Sequence, residues 1–136
     1  MDDLSELNQF AKRYTKAWCS QDPESVAACY AEHGSLRVND EASVVGRSAI
    51  AELARGFMSM FPDMELFMDG VVREPRGTVF HWTLTGTNTG PGGTGKCVRI
   101  SGNELWQLDN EGLVANSKGS FDKAEYERQL KRGVDA

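Results

Sequence analysis

The hydrophobic periodicity of this chain changes once, near its middle, from a helical repeat to a strand repeat. Before Pro62, apolar-face positions recur every three or four residues, as in Leu4, Leu7, Phe10, Ala11, Tyr14, Ala17 and Trp18. After Pro62 they alternate, as in Phe80, Trp82 and Leu84. Helices followed by long antiparallel strands predict an α+β domain in which the helices pack on one face of a curved sheet.

Capping and turn residues predict where these elements begin and end. We expect helices at residues 4–20, 22–34, 46–61 and 123–131, with Asp22 as an N-cap and Pro62 as a stop. We expect strands at residues 35–39, 64–73, 78–88, 94–108 and 113–120. His33 then lies beside a helix C-terminus, where it interacts favourably with the helix dipole. Residues 1–136 are expected to form one domain.

Composition excludes several classes of partner. The net charge is −5, and no basic run offers a surface for nucleic acid or anionic lipid. No apolar run approaches the roughly 20 residues that span a bilayer. The acidic N-terminus is unlike a signal peptide, so we expect a cytoplasmic protein. The three cysteines lack metal-ligand spacing, which favours free thiols and no metal site: Cys19, Cys29 and Cys97.

Two polar residues lie on the apolar faces of these elements. Tyr14 belongs to the stripe of the first helix, and Glu104 shares a strand face with Ile100, Trp106 and Leu108. A phenol and a carboxyl facing one apolar interior can together donate hydrogen bonds to a ligand oxygen, or they can satisfy each other as a structural pair. The apolar surroundings are expected to raise the pKa of Glu104.

Other titratable residues have simpler interpretations. His81 alternates away from Phe80 and Trp82, which places it on the convex face of the sheet, where we expect a homodimer interface. Asp40 and Glu41 lie near the expected cavity mouth, as solvated loop residues or as spare bases. Asp122 precedes the last helix and is expected to cap it.

Four segments resemble the SnoaL-like polyketide cyclases, which share the cone-shaped fold of nuclear transport factor 2. They read RYTKAWCSQDPESVAACYAEHGSLRVND, GRSAIAEL, HWTLTGTNTGPGGTGKCVRISG and GLVANSKGSFDKAEYERQL. The resemblance implies helices packed on a strongly curved, mostly antiparallel sheet that together form a cone with an internal apolar cavity. This superfamily includes both enzymes and non-enzymatic binders, so the fold alone does not give the function.

The ketosteroid isomerase branch is similar at single positions. The resemblance places its oxyanion-hole tyrosine and carboxylic acid on Tyr14 and Glu104, and in that enzyme an apolar site keeps the acid neutral. Its general-base aspartate falls on Val38, which is followed by Asn39. The isomerase base is therefore missing from its usual position.

The cyclase and epoxide-hydrolase branches are similar on the last strand. Their tryptophan and catalytic aspartate fall on Ser117 and Gly119. The arginine and aspartate of the epoxide hydrolases come from the strand that here carries Trp82 and Leu84, so that catalytic set is absent. Asn39 resembles the water-positioning asparagine of the epoxide hydrolases.

Together these features favour an enzyme without cofactor or metal that acts on a hydrophobic carbonyl compound by enolisation, aldol-type cyclisation or isomerisation. Tyr14 and Glu104 would donate to the carbonyl oxygen and Asn39 would orient the ligand, with the base left open. Aromatic residues are expected to bind a flat small molecule: Trp18, Phe57, Phe61, Trp82, Trp106 and Phe121. The alternatives are a non-catalytic binding protein for a small hydrophobic ligand and a dimeric scaffold with a filled cavity.

Overall fold

A computed structural model describes the backbone of residues 3–134 and the side chains of residues 5–134. Leu4 of the expected stripe lies outside the described side chains. The helices of this part of the chain are α1 (Asp3–Cys19), α2 (Pro23–Ala27), α3 (Arg47–Met60) and α4 (Lys123–Arg132). Its strands are β1 (Tyr30–Val38), β2 (Val44–Val45), β3 (Glu65–Glu74), β4 (Gly77–Thr87), β5 (Cys97–Leu108) and β6 (Val114–Phe121).

The strands form one open sheet in the order β2-β1-β6-β5-β4-β3. Neighbouring strands are antiparallel except β1 and β6, which run parallel. Parallel neighbours need a long connection, and here that connection contains α3 and the meander of β3, β4 and β5. The expected α+β architecture with a mostly antiparallel sheet is confirmed.

Aromatic side chains fill the core between the helices and the inner face of the sheet. Trp106 of β5 stacks on Phe80 of β4 with ring centroids 4.9 Å apart. Tyr14 of α1 meets Trp106 edge to face at 5.0 Å. All three side chains are fully buried. Burying a large side chain stabilises a fold by about 1.5–3 kcal/mol, so this group anchors α1 to the sheet.

The helix predicted for residues 22–34 ends much earlier than expected. α2 stops at Ala27, and His33 and Gly34 lie in β1. The prediction of a helix C-terminus at His33 is therefore wrong. Pairing of β1 with β6 decides this segment, since a Cβ atom on Gly34 would lie 2.8 Å from the carbonyl oxygen of Val114. The glycine permits close strand approach rather than a helix cap.

The predicted helix signals at Asp22, Asp122 and Pro62 are confirmed, while the strand expected from residue 94 begins at Cys97. The Asp22 carboxylate accepts from Glu24 N at 3.2 Å at the start of α2. The Asp122 carboxylate accepts from Glu125 N at 3.1 Å at the start of α4. α3 ends at Met60, two residues before Pro62.

The face of the sheet opposite the helices carries His81, which is exposed as expected. Phe67 and Val72 lie on this face and are 46% and 48% exposed. The homodimer expected through this face stays a prediction. Within the described chain, no helix combines the length and apolar character needed to cross a membrane.

Replacement of Gly34 by alanine tests the close approach of β1 and β6. The new Cβ would press on the Val114 carbonyl, so Gly34→Ala should lower the free energy of unfolding by about 1–3 kcal/mol. Gly56 lies in α3 with open space around it, and Gly56→Ala should instead raise that free energy by about 0.5–1 kcal/mol. Urea unfolding measures both, and an unchanged Gly34→Ala variant would contradict the pairing.

Candidate functional site

A cavity of about 70 Å³ lies between the helices and the inner face of the sheet. Its wall is almost entirely apolar, with side chains from every helix except α2 and every strand except β2: Trp18, Leu36, Val38, Leu53, Phe57, Leu66, Trp82, Leu84, Ile100, Phe121 and Tyr126. Gly119 and Glu104 complete it. Among the described residues that line the cavity, Glu104 is the one carboxylic acid.

Strand alternation turns Glu104 inward. Glu104 lies in β5 between Gly102 and Trp106, and its partner on β4 is the core residue Phe80. Glu104 is only 8% exposed. A carboxyl at this depth requires hydrogen bonds, because an unpaired buried charge is strongly unfavourable.

Three hydrogen bonds reach one and the same oxygen of the Glu104 carboxyl. The Tyr14 hydroxyl donates to Oε1 at 2.7 Å, and the Ser117 hydroxyl donates to the same atom at 2.7 Å. The indole Nε1 of Trp106 donates to it at 2.9 Å. These three donors do not line the cavity, whereas Glu104 does. We infer that Oε2 is the oxygen that faces the cavity.

A second tyrosine extends this network. The hydroxyls of Tyr14 and Tyr30 lie 2.9 Å apart. Since the Tyr14 hydroxyl uses its one proton in the hydrogen bond to Glu104, the Tyr30 hydroxyl donates to the Tyr14 oxygen. Burial, followed by the charge of Glu104, raises the pKa of both phenols well above the usual value. Both therefore remain protonated hydrogen-bond donors at neutral pH.

Opposing effects set the pKa of Glu104. Burial raises it, while the hydrogen bonds from Trp106, Tyr14 and Ser117 lower it, and the net direction is upward. This direction agrees with the expectation from the sequence. Because Oε1 already accepts three hydrogen bonds, the proton of the neutral form belongs on Oε2. The same oxygen can donate when neutral and accept a proton when ionised.

The structure divides the six aromatic residues predicted to bind a ligand. Trp18, Phe57, Trp82 and Phe121 line the cavity. Phe61 and Trp106 are fully buried and lie outside its lining. Trp106 instead donates a hydrogen bond to Glu104, which does line the cavity.

The structure brings Tyr14 and Glu104 together as a hydrogen-bonded pair, with Tyr14 behind the cavity wall. Asn39 lies at the end of β1, where its side-chain oxygen accepts from Phe121 N at 2.9 Å. Its own N–H donates to the Gly119 carbonyl at 2.8 Å. Asn39 thus ties β1 to β6, and an orienting role toward a ligand stays a prediction.

Three strands bring into one row the positions on which the resemblance places acids. Val38 pairs with Gly119 across β1 and β6, and Gly119 pairs with Glu104 across β6 and β5. All three residues line the cavity. Neighbouring strands lie about 5 Å apart, so the row spans the width of a small ring compound.

The other acids and the histidines lie elsewhere. His81, Asp40 and Glu41 are exposed and do not line the cavity. The described side chains, those of residues 5–134, include no group of three histidine, cysteine or acidic residues arranged to bind a metal ion. Sequence reasoning missed Ser117 as a donor, although the alternation of β6 places it on the same face as Gly119 and Phe121.

Removal of the Glu104 charge should change how stability depends on pH. Its folded-state pKa is raised, so the contribution of the neutral carboxyl is complete below the unfolded pKa of about 4.5 and is lost as pH rises through the folded pKa. In Glu104→Gln, an amide oxygen can accept the three hydrogen bonds without titrating. The unfolding free energy of wild type relative to this variant should fall above pH 4.5, by up to about 1.4 kcal/mol per unit.

Urea unfolding of both proteins at a series of pH values measures this difference. A difference that stays flat, or that rises with pH, would contradict a raised pKa for Glu104. Asp40→Asn is the matched control, because Asp40 is an exposed carboxylate outside the cavity.

The chain is similar to known proteins in sequence and in fold. The family model of the SnoaL-like polyketide cyclases matches residues 8–130. None of the curated proteins matches the sequence. Solved structures with the same fold are similar over most of both chains.

TsrD from Streptomyces laurentii superposes with a TM-score of 0.79 at 23% identity, over 96% of this chain and 97% of that one. A phenazine biosynthesis-related protein from Pseudomonas aeruginosa gives 0.73 at 19% identity, over 98% and 93%. A protein from Catenulispora acidiphila with a ketosteroid isomerase-like fold, in complex with trimethylamine, gives 0.78 at 12% identity, over 89% and 91%. At these identities the likeness establishes the fold.

Proposed function

The chain belongs to the SnoaL-like polyketide cyclase family, and from this premise we propose that it is a cofactor-independent enzyme acting on a hydrophobic carbonyl compound. The reaction class is enolisation, which is followed by isomerisation or aldol-type cyclisation to give the product. One observation carries the proposal: a buried carboxyl in an apolar cavity has one oxygen held by three donors and the other left for a ligand.

Glu104 supplies the acid–base chemistry in this proposal. Its ionised Oε2 takes a proton from the carbon next to the ligand carbonyl, and the neutral acid returns that proton to the ligand. Because its pKa is raised, the two forms of the carboxyl coexist at a higher pH than for an ordinary glutamate, and this favours such transfer. The donor role expected from the sequence and the unassigned base are then two protonation states of one group.

Tyr14, Ser117 and Trp106 act as positioning residues. Their hydrogen bonds fix Oε1 and hence the direction in which Oε2 points. Donors that are already oriented need no rearrangement when charge develops on the carboxyl. Their fixed geometry also keeps the ionised form accessible despite its burial.

The apolar wall selects the ligand by shape and hydrophobicity. It favours a small, flat, ring-containing molecule over a charged one, since no described lysine, arginine or histidine lines the cavity. The same wall supports the alternative, a binding protein for a small hydrophobic ligand that does no chemistry. Trp18 and Trp82 line the cavity without filling it, so the scaffold alternative lacks the packed interior that it requires.

Exchange of ketone α-protons for deuterium separates an enzyme from a binding protein. With 2-tetralone in D2O, wild type should accelerate exchange at the carbons beside the carbonyl, followed by proton NMR. Loss of the acid–base group in Glu104→Gln should slow exchange by about 10²–10⁴-fold. His81→Gln is the control, because this exposed residue lies outside the cavity and its replacement should leave the rate unchanged.

If wild type binds 2-tetralone without accelerating exchange, the binding-protein function replaces the enzyme. If exchange is fast and equally fast in Glu104→Gln, Glu104 is not the proton-transfer group. Binding itself is measured by calorimetry with the same samples.

Replacement of Tyr14 should move the pH profile of this exchange. The Tyr14 hydrogen bond favours the ionised carboxyl, so Tyr14→Phe should raise the midpoint of the profile by about 1 pH unit. Tyr30→Phe keeps the Tyr14–Glu104 bond and should shift the midpoint less. A Tyr14→Phe profile with the wild-type midpoint and a lower plateau would show a structural role only.

A further inference from the structure

Gly119 is a glycine that neither backbone conformation nor close packing requires. It lies inside β6, where a glycine weakens a strand because it costs more backbone entropy and packs no side chain. Its φ lies outside the left-handed region that favours glycine. A Cβ atom at this position would meet its nearest neighbour at 3.5 Å, which is an ordinary contact.

Other strand glycines of this sheet have a packing reason. A Cβ atom on Gly34 would lie 2.8 Å from the carbonyl oxygen of Val114. A Cβ atom on Gly102 would lie 2.7 Å from Cζ2 of the Trp82 indole. Close approach explains both of these glycines, and it does not explain Gly119.

The side-chain direction of Gly119 is toward the cavity. Ser117 and Gly119 are buried, whereas Lys118 and Ser120 are exposed, so β6 alternates regularly between the two faces of the sheet here. The Cβ position of Gly119 is therefore on the same face as the Ser117 hydroxyl that donates to Glu104. Gly119 itself lines the cavity.

The missing side chain leaves open space in the cavity wall, which we call the Gly119 slot. The three atoms nearest to its Cβ position are the Arg37 carbonyl oxygen at 3.5 Å, Cγ of Glu104 at 3.7 Å and the Asn103 carbonyl oxygen at 3.9 Å. All three belong to the adjoining strands β1 and β5, and none comes from a helix. The slot is therefore bordered by the sheet and faces the cavity.

The Gly119 slot adjoins the carboxyl of the site. Its Cβ position lies 3.7 Å from Cγ of Glu104, and Oε2 is two bonds further along that side chain. A ligand atom in contact with Oε2 can therefore place a bonded neighbour in the slot. Glycines inside strands often mark positions where a ligand approaches the backbone closely.

We propose that Gly119 is a specificity-determining residue, and that its slot receives a substituent on the carbon next to the ligand carbonyl. The cavity then selects cyclic ketones that are branched at this carbon over unbranched ones. Any side chain at position 119 would take the same space. The inference rests on the proposed use of this cavity as the ligand site, but not on proton transfer by Glu104.

Two ketones that differ by one methyl group test the slot. They are 2-tetralone and 1-methyl-2-tetralone, which carries the methyl on a carbon next to the carbonyl. Wild type should bind the methyl compound about fourfold more tightly, the gain expected from burying one more methyl group. Gly119→Ala puts a methyl group of the protein into the slot and should abolish this preference, chiefly by weakening binding of the methyl compound. Calorimetry measures all four affinities.

Gly56→Ala is the matched control. It makes the same chemical change in α3, with open space around it and outside the cavity, and should keep the wild-type preference. Urea unfolding without ligand gives a second readout. Gly119→Ala should unfold at the same or a higher urea concentration than wild type, since alanine loses less backbone entropy and meets only ordinary contacts. A clearly lower midpoint would show that the fold needs this glycine and would overturn the inference.

The outcomes separate this inference from the proposed function. A preference that wild type shows and Gly119→Ala loses supports the slot, whether or not the protein accelerates deuterium exchange. If wild type binds both ketones equally, or if Gly119→Ala keeps the preference, the slot does not receive the branch, while the cavity remains a ligand site. If neither ketone binds wild type, the cavity is not a site for such ketones, and both proposals fall.

Discussion

The convergence of three donors on Oε1 of Glu104 is the interaction on which the rest of the structure depends. Tyr14 comes from α1, Trp106 from β5 and Ser117 from β6, so the contact joins the helix layer to two strands. A buried carboxyl is tolerated only when it is well hydrogen-bonded. Removal of one donor leaves the buried charge less well compensated. The polar network therefore fixes the position of α1 on the sheet. The aromatic rings of Tyr14, Phe80 and Trp106 pack closely around it.

The two oxygens of this carboxyl have opposite environments, and the difference between them is the basis of the site. On the Oε1 side, hydroxyl and indole groups stabilise the negative charge. On the cavity side, the wall is almost entirely apolar and penalises that charge. Neither environment alone suits proton exchange, since full solvation leaves an ordinary acid and full desolvation leaves a permanently neutral one. The combination leaves one oxygen at an apolar surface while its partner oxygen is held in place.

Much of this arrangement is readable from the sequence where the signal is local. The change of hydrophobic period predicted the α+β architecture, and alternation in β5 correctly turned Glu104 inward. The error at His33 and Gly34 arose because helix and cap propensities see only neighbours in the chain, whereas Val114, 80 residues away, decides that segment by pairing. For the same reason the sequence could not choose between a ligand-facing Tyr14 and a paired one. That choice depends on a 2.7 Å contact between residues 90 positions apart.

The row of Val38, Gly119 and Glu104 gives a physical account of the acids that this chain lacks. The resemblance places an isomerase base on Val38 and a cyclase aspartate on Gly119, and the sheet sets both positions beside Glu104 along one line of the cavity wall. Two carboxylates at adjacent points of that line would repel each other, and one would stay protonated. With an apolar residue and a glycine at the neighbouring positions, Glu104 has no competing charge in the row, so burial and its three donors control its ionisation. A Cβ atom on Gly119 would meet Cγ of Glu104 at 3.7 Å, an ordinary contact, so the backbone leaves room for a Cβ atom there. A side chain at position 119 would therefore lie against Glu104, and its charge would change how that carboxyl ionises.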